Sequence, residues 1–252
     1  MNFIWVWNAR TLKRYMIIVI AAFFTAGILY VERSQIPVFS NNDTPAAIYK
    51  VDAEDQRVAL TFNISWGEER AEPILDILKE NDIPATFFVS AAWAERHPDI
   101  VERIIEDGHE LGSHGYRHDH YTKWEEDKIK KDIQTAHRIL QEVSQEAPTY
   151  LRPPNGSFDD RVLQIAEKEN YDVIHWSVNS EDWLNPGVEK IVQNVTSQLT
   201  NGDIILFHAS DSAKQTHEAL PVIISQLKND GYKFDTISQL ISGAEVVTKE
   251  IK

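Results

Sequence analysis

The side chains able to do chemistry gather at one kind of place. His114 and His118 stand four residues apart in the run His114-Gly115-Tyr116-Arg117-His118. Imidazoles at that spacing on a helical turn share a face and can hold one metal ion. His120 follows closely, but a two-residue spacing suits that face poorly. His208 closes an apolar run, where an imidazole can act as a general acid near neutral pH. Arg152 opens the turn Arg152-Pro153-Pro154-Asn155-Gly156. Two prolines and a glycine fix that backbone, so the guanidinium can be held in one orientation as a carboxylate partner or oxyanion donor. Asn63 ends another apolar run, and Asn179 and Asp182 follow a third. Trp66, Trp176 and Trp183 flank these segments, and aromatic rings beside a polar rim suit sugar rings. His97 and His137 fall on helical patterns and read as surface residues, whereas His109 and His175 read as structural.

These groups need elements to position them. Short apolar runs alternate with amphipathic helical patterns after Arg57. Strands are expected at 58–63, 85–89, 110–113, 150–152, 171–178, 204–208 and 232–236. Helices are expected at 71–80, 98–107, 125–143, 159–169, 188–199 and 216–229, with a short one last. Such alternation predicts an α/β fold with a parallel sheet and helices outside it. Seven such units suit either a doubly wound open sheet or a distorted barrel. In both, site residues collect at the C-terminal ends of strands, where the candidates above lie.

Composition excludes several classes. The chain has 252 residues, 42% hydrophobic and 25% charged, enough to bury a sizeable core and unlike a disordered chain. It has no cysteine, so disulfides, thiolate-held metals and thiol catalysis are excluded. Setting aside Arg10, Lys13 and Arg14, the remaining 22 basic residues face 39 acidic ones. An acidic body of this kind argues against nucleic acid as a partner. Residues 15–31 form an uncharged run of 17, about 25 Å as a helix, preceded by those three basic residues. The reading is a cytoplasmic N-terminus at 1–14, a transmembrane anchor at 15–31, a linker at 32–55 and a folded domain at 56–252. That places the domain outside the cytoplasm on a single-pass anchor; the alternative is secretion after signal cleavage.

Together the motifs resemble the polysaccharide deacetylase family, the NodB-homology esterases of carbohydrate esterase family 4, from about residue 56 to 243. The family's T-F-D-D-G matches Thr61-Phe62-Asn63 with Gly67 further on. Its H-x-x-x-H matches His114 and His118, and R-P-P-x-G matches Arg152 to Gly156. D-x-x-D-W matches Asn179-Ser180-Glu181-Asp182-Trp183, and L-x-H matches Leu206-Phe207-His208. The run Ile64-Ser65-Trp66-Gly67, the segment 91–98 and the anchor also resemble the sporulation-associated, PdaB-like subgroup. The resemblance implies a distorted (β/α)7 barrel and hydrolysis of N-acetyl groups on a glycan such as peptidoglycan or chitin. It implies a divalent metal, zinc in many members, held by an Asp and two His, here His114 and His118. An Asp base, with His208 as acid and Arg152, Asp182 and Asn179 in support, would complete the machinery. Trp66, Trp183 and Pro154 would contact the glycan.

The chain departs from that pattern at carboxylates. Asn63 stands at the base position, Ile64 at the metal-ligand position and Asn179 at a supporting one. An amide accepts no proton near neutral pH, and loss of a positioned base costs about 10²–10⁴ in rate. Two functions are therefore expected as alternatives: a deacetylase, or a catalytically impaired glycan-binding protein of the same fold. Glycoside hydrolysis would need two facing carboxyl groups, for which Asp182 and Glu68 are the candidates.

Overall fold

The computed structural model describes residues 45–242 and 244–248, together with Met16. The chain divides into units 1–39 and 40–252, and apart from Met16 the described residues belong to the second. The run at 15–31 otherwise lies outside the described residues, among which no helix is long and apolar enough to cross a membrane. In chain order the elements are β1 (Lys50–Asp52), β2 (Arg57–Ile64), α1 (Ala71–Glu80), β3 (Thr86–Val89), α2 (Ala91–Ala94), α3 (Pro98–Glu106) and β4 (Glu110–Ser113). Next come α4 (Glu126–Ser144), β5 (Tyr150–Leu151), α5 (Asp160–Lys168), β6 (Asp172–Val173), β7 (Val178–Asn179), α6 (Val188–Thr196) and β8 (Ile204–His208). The last are α7 (Thr216–Asn229), β9 (Lys233–Asp235), α8 (Ile237–Ile241) and β10 (Glu245–Val247).

Eight strands form one sheet in the order β6-β5-β4-β3-β2-β8-β7, with β9 also on β2, and every pair in it is parallel. The parallel sheet and exterior helices agree with the sequence reading. The ring is not closed by a ladder, because β6 and β7 are edge strands at opposite ends of the sheet. Yet only residues 174–177 separate them in sequence, a reach of at most about 18 Å. The sheet is thus curled into an incomplete barrel whose edges are joined by the chain itself.

The single strand expected at 171–178 is therefore two. Its interior carbonyls, those of Ile174 and His175, accept hydrogen bonds from the Arg152 guanidinium. Two carbonyls turned inward to a buried cation are not available to a neighbouring strand. The linker expected at 32–55 also ends early. Ala47, Ile48, Tyr49 and Val51 are buried, and β1 pairs antiparallel with β10. Ile48 bridges to Ile174 beside β6, while Lys50 bridges to Asp203 just before β8. The lead-in thus lies across the gap between the two sheet edges, fastened by a Lys50–Asp203 ion pair of 2.9 Å.

Alternation along β2 sets the two faces. Val58, Leu60, Phe62 and Ile64 face the helices and share a core with Ile74, Leu75 and Leu78 of α1. Phe62 stacks between Phe87 of β3 and Phe207 of β8, with centroids 5.0 and 5.5 Å away. Ala59 belongs to the inner cluster with Phe88, Ile174 and Ile204. Thr61 and Asn63 continue that inner face, and both are bonded to the interior guanidinium.

Candidate active site

The parallel ladder brings the strand ends to one rim. Asn63 and His208 are register partners on β2 and β8, and Asn179 of β7 is the partner of Leu206. A cavity of about 430 Å³ opens there, lined among others by Asn63, His118, Asn179, His208, Trp66 and Trp183.

One side of the cavity is an acid couple. Asp182 is fully buried in the turn after β7. Its Oδ1 lies 2.8 Å from His208 Nδ1, and its Oδ2 accepts from the His208 backbone N–H at 2.7 Å. Thr216, at the start of α7, donates its hydroxyl to the same Oδ2 at 2.7 Å. A carboxylate only accepts, so His208 carries a proton on Nδ1 and presents Nε2 to the cavity.

A second part of the site is built on Arg152, which is fully buried. Its Nη1 donates to Thr61 Oγ1 at 2.9 Å and to Asn63 Oδ1 at 3.1 Å. Its Nε and Nη2 donate to the carbonyls of Ile174 and His175. The guanidinium also lies over the Phe88 ring, 4.1 Å from its centroid. Gly112 of β4 permits that placement, since a Cβ there would meet the Phe88 ring at 2.6 Å. Burial pushes the Arg152 pKa down to about 9. Arg152 does not line the cavity, so it positions Asn63 and the interior backbone rather than serving as an oxyanion donor.

His114 is fully buried, and its Nδ1 lies 2.6 Å from the Arg152 carbonyl. Its Nε2 is buried without a hydrogen-bond partner among the described residues. Burial, reinforced by neighbouring His118, holds its pKa well below the usual imidazole value. His118 is likewise lowered, first by burial and then by His208. The two rings sit with centroids 5.2 Å apart. An orphaned buried nitrogen beside a second neutral imidazole is what two metal ligands look like.

The third ligand is missing. Ile64 faces the sheet–helix core rather than the rim, with no exposed surface. Glu68 does not replace it, because its carboxylate pairs with His97 Nδ1 at 3.2 Å and is absent from the cavity lining. Among the described residues, no three His, Asp or Glu side chains form a metal-holding group. Two nitrogens do not fit the three-ligand catalytic zinc site that the resemblance implies. The same placement of Glu68 removes it as the second carboxyl of a glycosidase pair.

The remaining expected site residues divide. Trp66 and Trp183 line the cavity and are 53% and 51% exposed as residues, so each can offer aromatic surface to a ligand. Trp66 is rigidly mounted: Ser65 N–H donates to Ser210 Oγ, and Trp93 Nε1 donates to the Gly67 carbonyl. Gly67 has φ +77°, and a Cβ there would collide with Asp211, whose carboxylate takes the N–H groups of Glu68 and Arg70. Asn179 lies on the lining, but its Oδ1 caps the Glu181 N–H at 3.0 Å, which makes it a turn residue. Pro154 is buried below the rim; Asn155 and Gly156 reach the cavity instead.

Two residues that sequence reasoning missed hold the site together. Thr216 braces Asp182, and nothing in its local pattern marks it. Asp132 on α4 accepts from Tyr116 N–H and Tyr121 Oη at 2.8 and 2.7 Å, which ties down the loop carrying His118. An acid among the apolar positions Ile129, Ile133 and Ala136 of one helix face was the signal for it.

A polysaccharide deacetylase family profile matches residues 50–174. A peptidoglycan-N-acetylglucosamine deacetylase of Bacillus cereus is 32% identical over 196 residues, 77% of this chain and 92% of that protein. The Bacillus subtilis protein YlxY is 32% identical over 197 residues, 78% of this chain but 61% of YlxY. Among solved structures, a CE4 family pseudoenzyme from Bacillus anthracis superposes with TM-score 0.74 and 32% identity, covering 82% of this chain and 71% of the other. A mutant of that pseudoenzyme described as having restored enzymatic activity matches with the same TM-score and identity, covering 82% of this chain and 74% of the mutant.

Proposed function

The chain belongs to the polysaccharide deacetylase family, and on that premise we propose that it is a slow hydrolase of N-acetyl groups on cell-wall glycan such as peptidoglycan. The observation that carries this reading is the Asp182–His208 couple, braced by Thr216 and opening onto a cavity rimmed by Trp66 and Trp183. Amide hydrolysis needs a proton on the departing nitrogen. His208 Nε2 faces the cavity to deliver it, and the buried Asp182 carboxylate holds the ring in place through Nδ1. The two indoles offer apolar faces to sugar rings on either side.

The slow rate follows from the other half of the site. Asn63 takes no proton from water, and the His114–His118 pair has no third ligand among the described residues. Those same facts favour a second reading, a protein that binds the glycan without turning it over. The uncharged run at 15–31 supports a membrane anchor with the domain outside the cytoplasm. The PdaB-like pattern supports a role in sporulation.

The test is binding of N-acetylglucosamine oligomers, followed by tryptophan fluorescence, together with acetate release from peptidoglycan. Trp66→Ala and Trp183→Ala are each expected to weaken oligomer binding by about tenfold, roughly 1.4 kcal/mol. His208→Ala should abolish acetate release and leave binding in place. Oligomer affinity indifferent to both tryptophans would contradict the placement of the glycan.

A further inference from the structure

The orientation of the Asn63 amide is fixed by chemistry. Arg152 Nη1 can only donate, so the Asn63 atom 3.1 Å from it must be the carbonyl oxygen. Nδ2 then carries the amide's two N–H donors, free of Arg152, and Asn63 lines the cavity. Where a base would present a lone pair, this chain presents two N–H donors.

Charge points the same way. Every hydrogen-bond acceptor of Arg152 is neutral, namely one hydroxyl, one amide oxygen and two backbone carbonyls. No carboxylate lies in ion-pair contact with it among the described residues. The buried acid of the site, Asp182, spends both oxygens on His208 and Thr216. Among the described residues that line the cavity there is no Asp or Glu. Ser65, Ser210 and Ser212 also line the cavity. A buried cation lacking an anion is costly, and an anion placed at the cavity floor would offset that cost.

We propose that the Asn63 end of the cavity is a carboxylate site, holding the carboxylate of an acidic N-acetylated sugar or of acetate through Asn63 Nδ2 and the charge of Arg152. This rests on the glycan reading of the cavity and narrows its ligand. A neutral N-acetylated sugar would leave the charge of Arg152 without an anion, whereas a carboxylate would supply one. An aspartate at position 63 would supply that anion from the chain itself, so the asparagine creates the preference.

The test is titration calorimetry of the full-length protein at pH 7 and constant ionic strength. The probes are sodium acetate, N-acetylmuramic acid and a neutral N-acetylglucosamine oligomer, with sodium chloride as the control anion. Acetate and N-acetylmuramic acid are expected to bind. Asn63→Asp, which supplies a covalent carboxylate to Arg152, should weaken both by at least about tenfold and leave the neutral oligomer within about threefold. Asn63→Ala, which removes the donor, should weaken both as well, should the aspartate variant fail to fold. N-acetylmuramic acid binding tighter than acetate identifies a sugar carboxylate as the occupant, and equal affinity identifies acetate. Absence of carboxylate binding to wild type, or binding unchanged in both variants, would overturn the site. Oligomer binding in that event leaves the glycan reading standing, and its absence removes that reading separately.

Discussion

At the residue scale the decisive position is Asn63. Its neighbours are those of a carboxylate: a buried guanidinium on one side and a cavity on the other. Restoring the acid should therefore stabilise the protein as well as change its chemistry. Asp and Asn are nearly isosteric, and removing one partner of a buried ion pair typically costs about 3–5 kcal/mol. Asn63→Asp is expected to gain on the order of 1–3 kcal/mol at pH 7, read as a higher melting temperature. The sign with pH is fixed. Arg152 would hold the new carboxyl below its unfolded value, so the gain is full at neutral pH and disappears as the carboxyl is protonated in acid. A melting temperature below wild type at pH 7 would contradict the account of Arg152. His114, His118, Asp182 and His208 were legible as chemistry because their types and spacing are unusual. Thr216 was not, since a hydroxyl at a helix start is ordinary and its partner lies 34 residues away in sequence. The burial of Arg152 was equally invisible, because the acceptors that make it tolerable are backbone carbonyls exposed by a break in a distant strand.

At the element scale, hydrophobic periodicity located most helices and strands, and 71–80, 110–113, 204–208 and 216–229 have the expected bounds. It failed at 171–178, where local pattern favours one strand and an interior cation takes the carbonyls. It also passed over β1 and β10, short strands whose pairing joins opposite ends of the domain. Two histidines outside the site are withdrawn from water, His109 buried and His175 half-buried. His109 precedes β4 with neither ring nitrogen hydrogen-bonded, packed 5.3 Å from the Phe87 ring. His175, between β6 and β7, stacks on Trp176 at 3.7 Å. Burial lowers each pKa to about 4. The unfolded chain binds these protons from 6.5 downward, whereas the folded chain does so only near 4. Each histidine therefore contributes stability that is complete above pH 6.5 and falls by about 1.4 kcal/mol per pH unit as pH drops toward 4. Denaturant unfolding at pH 7, 6 and 5 measures that slope. His109→Phe should keep the stability at pH 7 and lower the slope by one histidine. An unchanged slope would show that His109 stays solvated.

At the scale of the whole molecule, the parallel α/β class and the rim of strand ends followed from the alternation of elements. The manner of closure did not, since it depends on a lead-in segment lying across two sheet edges. That segment leads back toward the uncharged run at 15–31. Full-length protein is expected to fractionate with membranes, and a chain begun near Asn41 to remain in the soluble fraction. Recovery of a mature chain starting after Gly27 would replace the anchor with secretion. The glycan reading depends on the rim as a whole: aromatic faces outside, an acid couple on one wall and an amide where a base would stand. Acetate release from N-acetylglucosamine oligomers, measured side by side for wild type and Asn63→Asp, tests it most directly. The account predicts slow release by wild type and at least a tenfold rise in the variant, about 1.4 kcal/mol of transition-state free energy. Rapid wild-type turnover that Asn63→Asp leaves unchanged would contradict it.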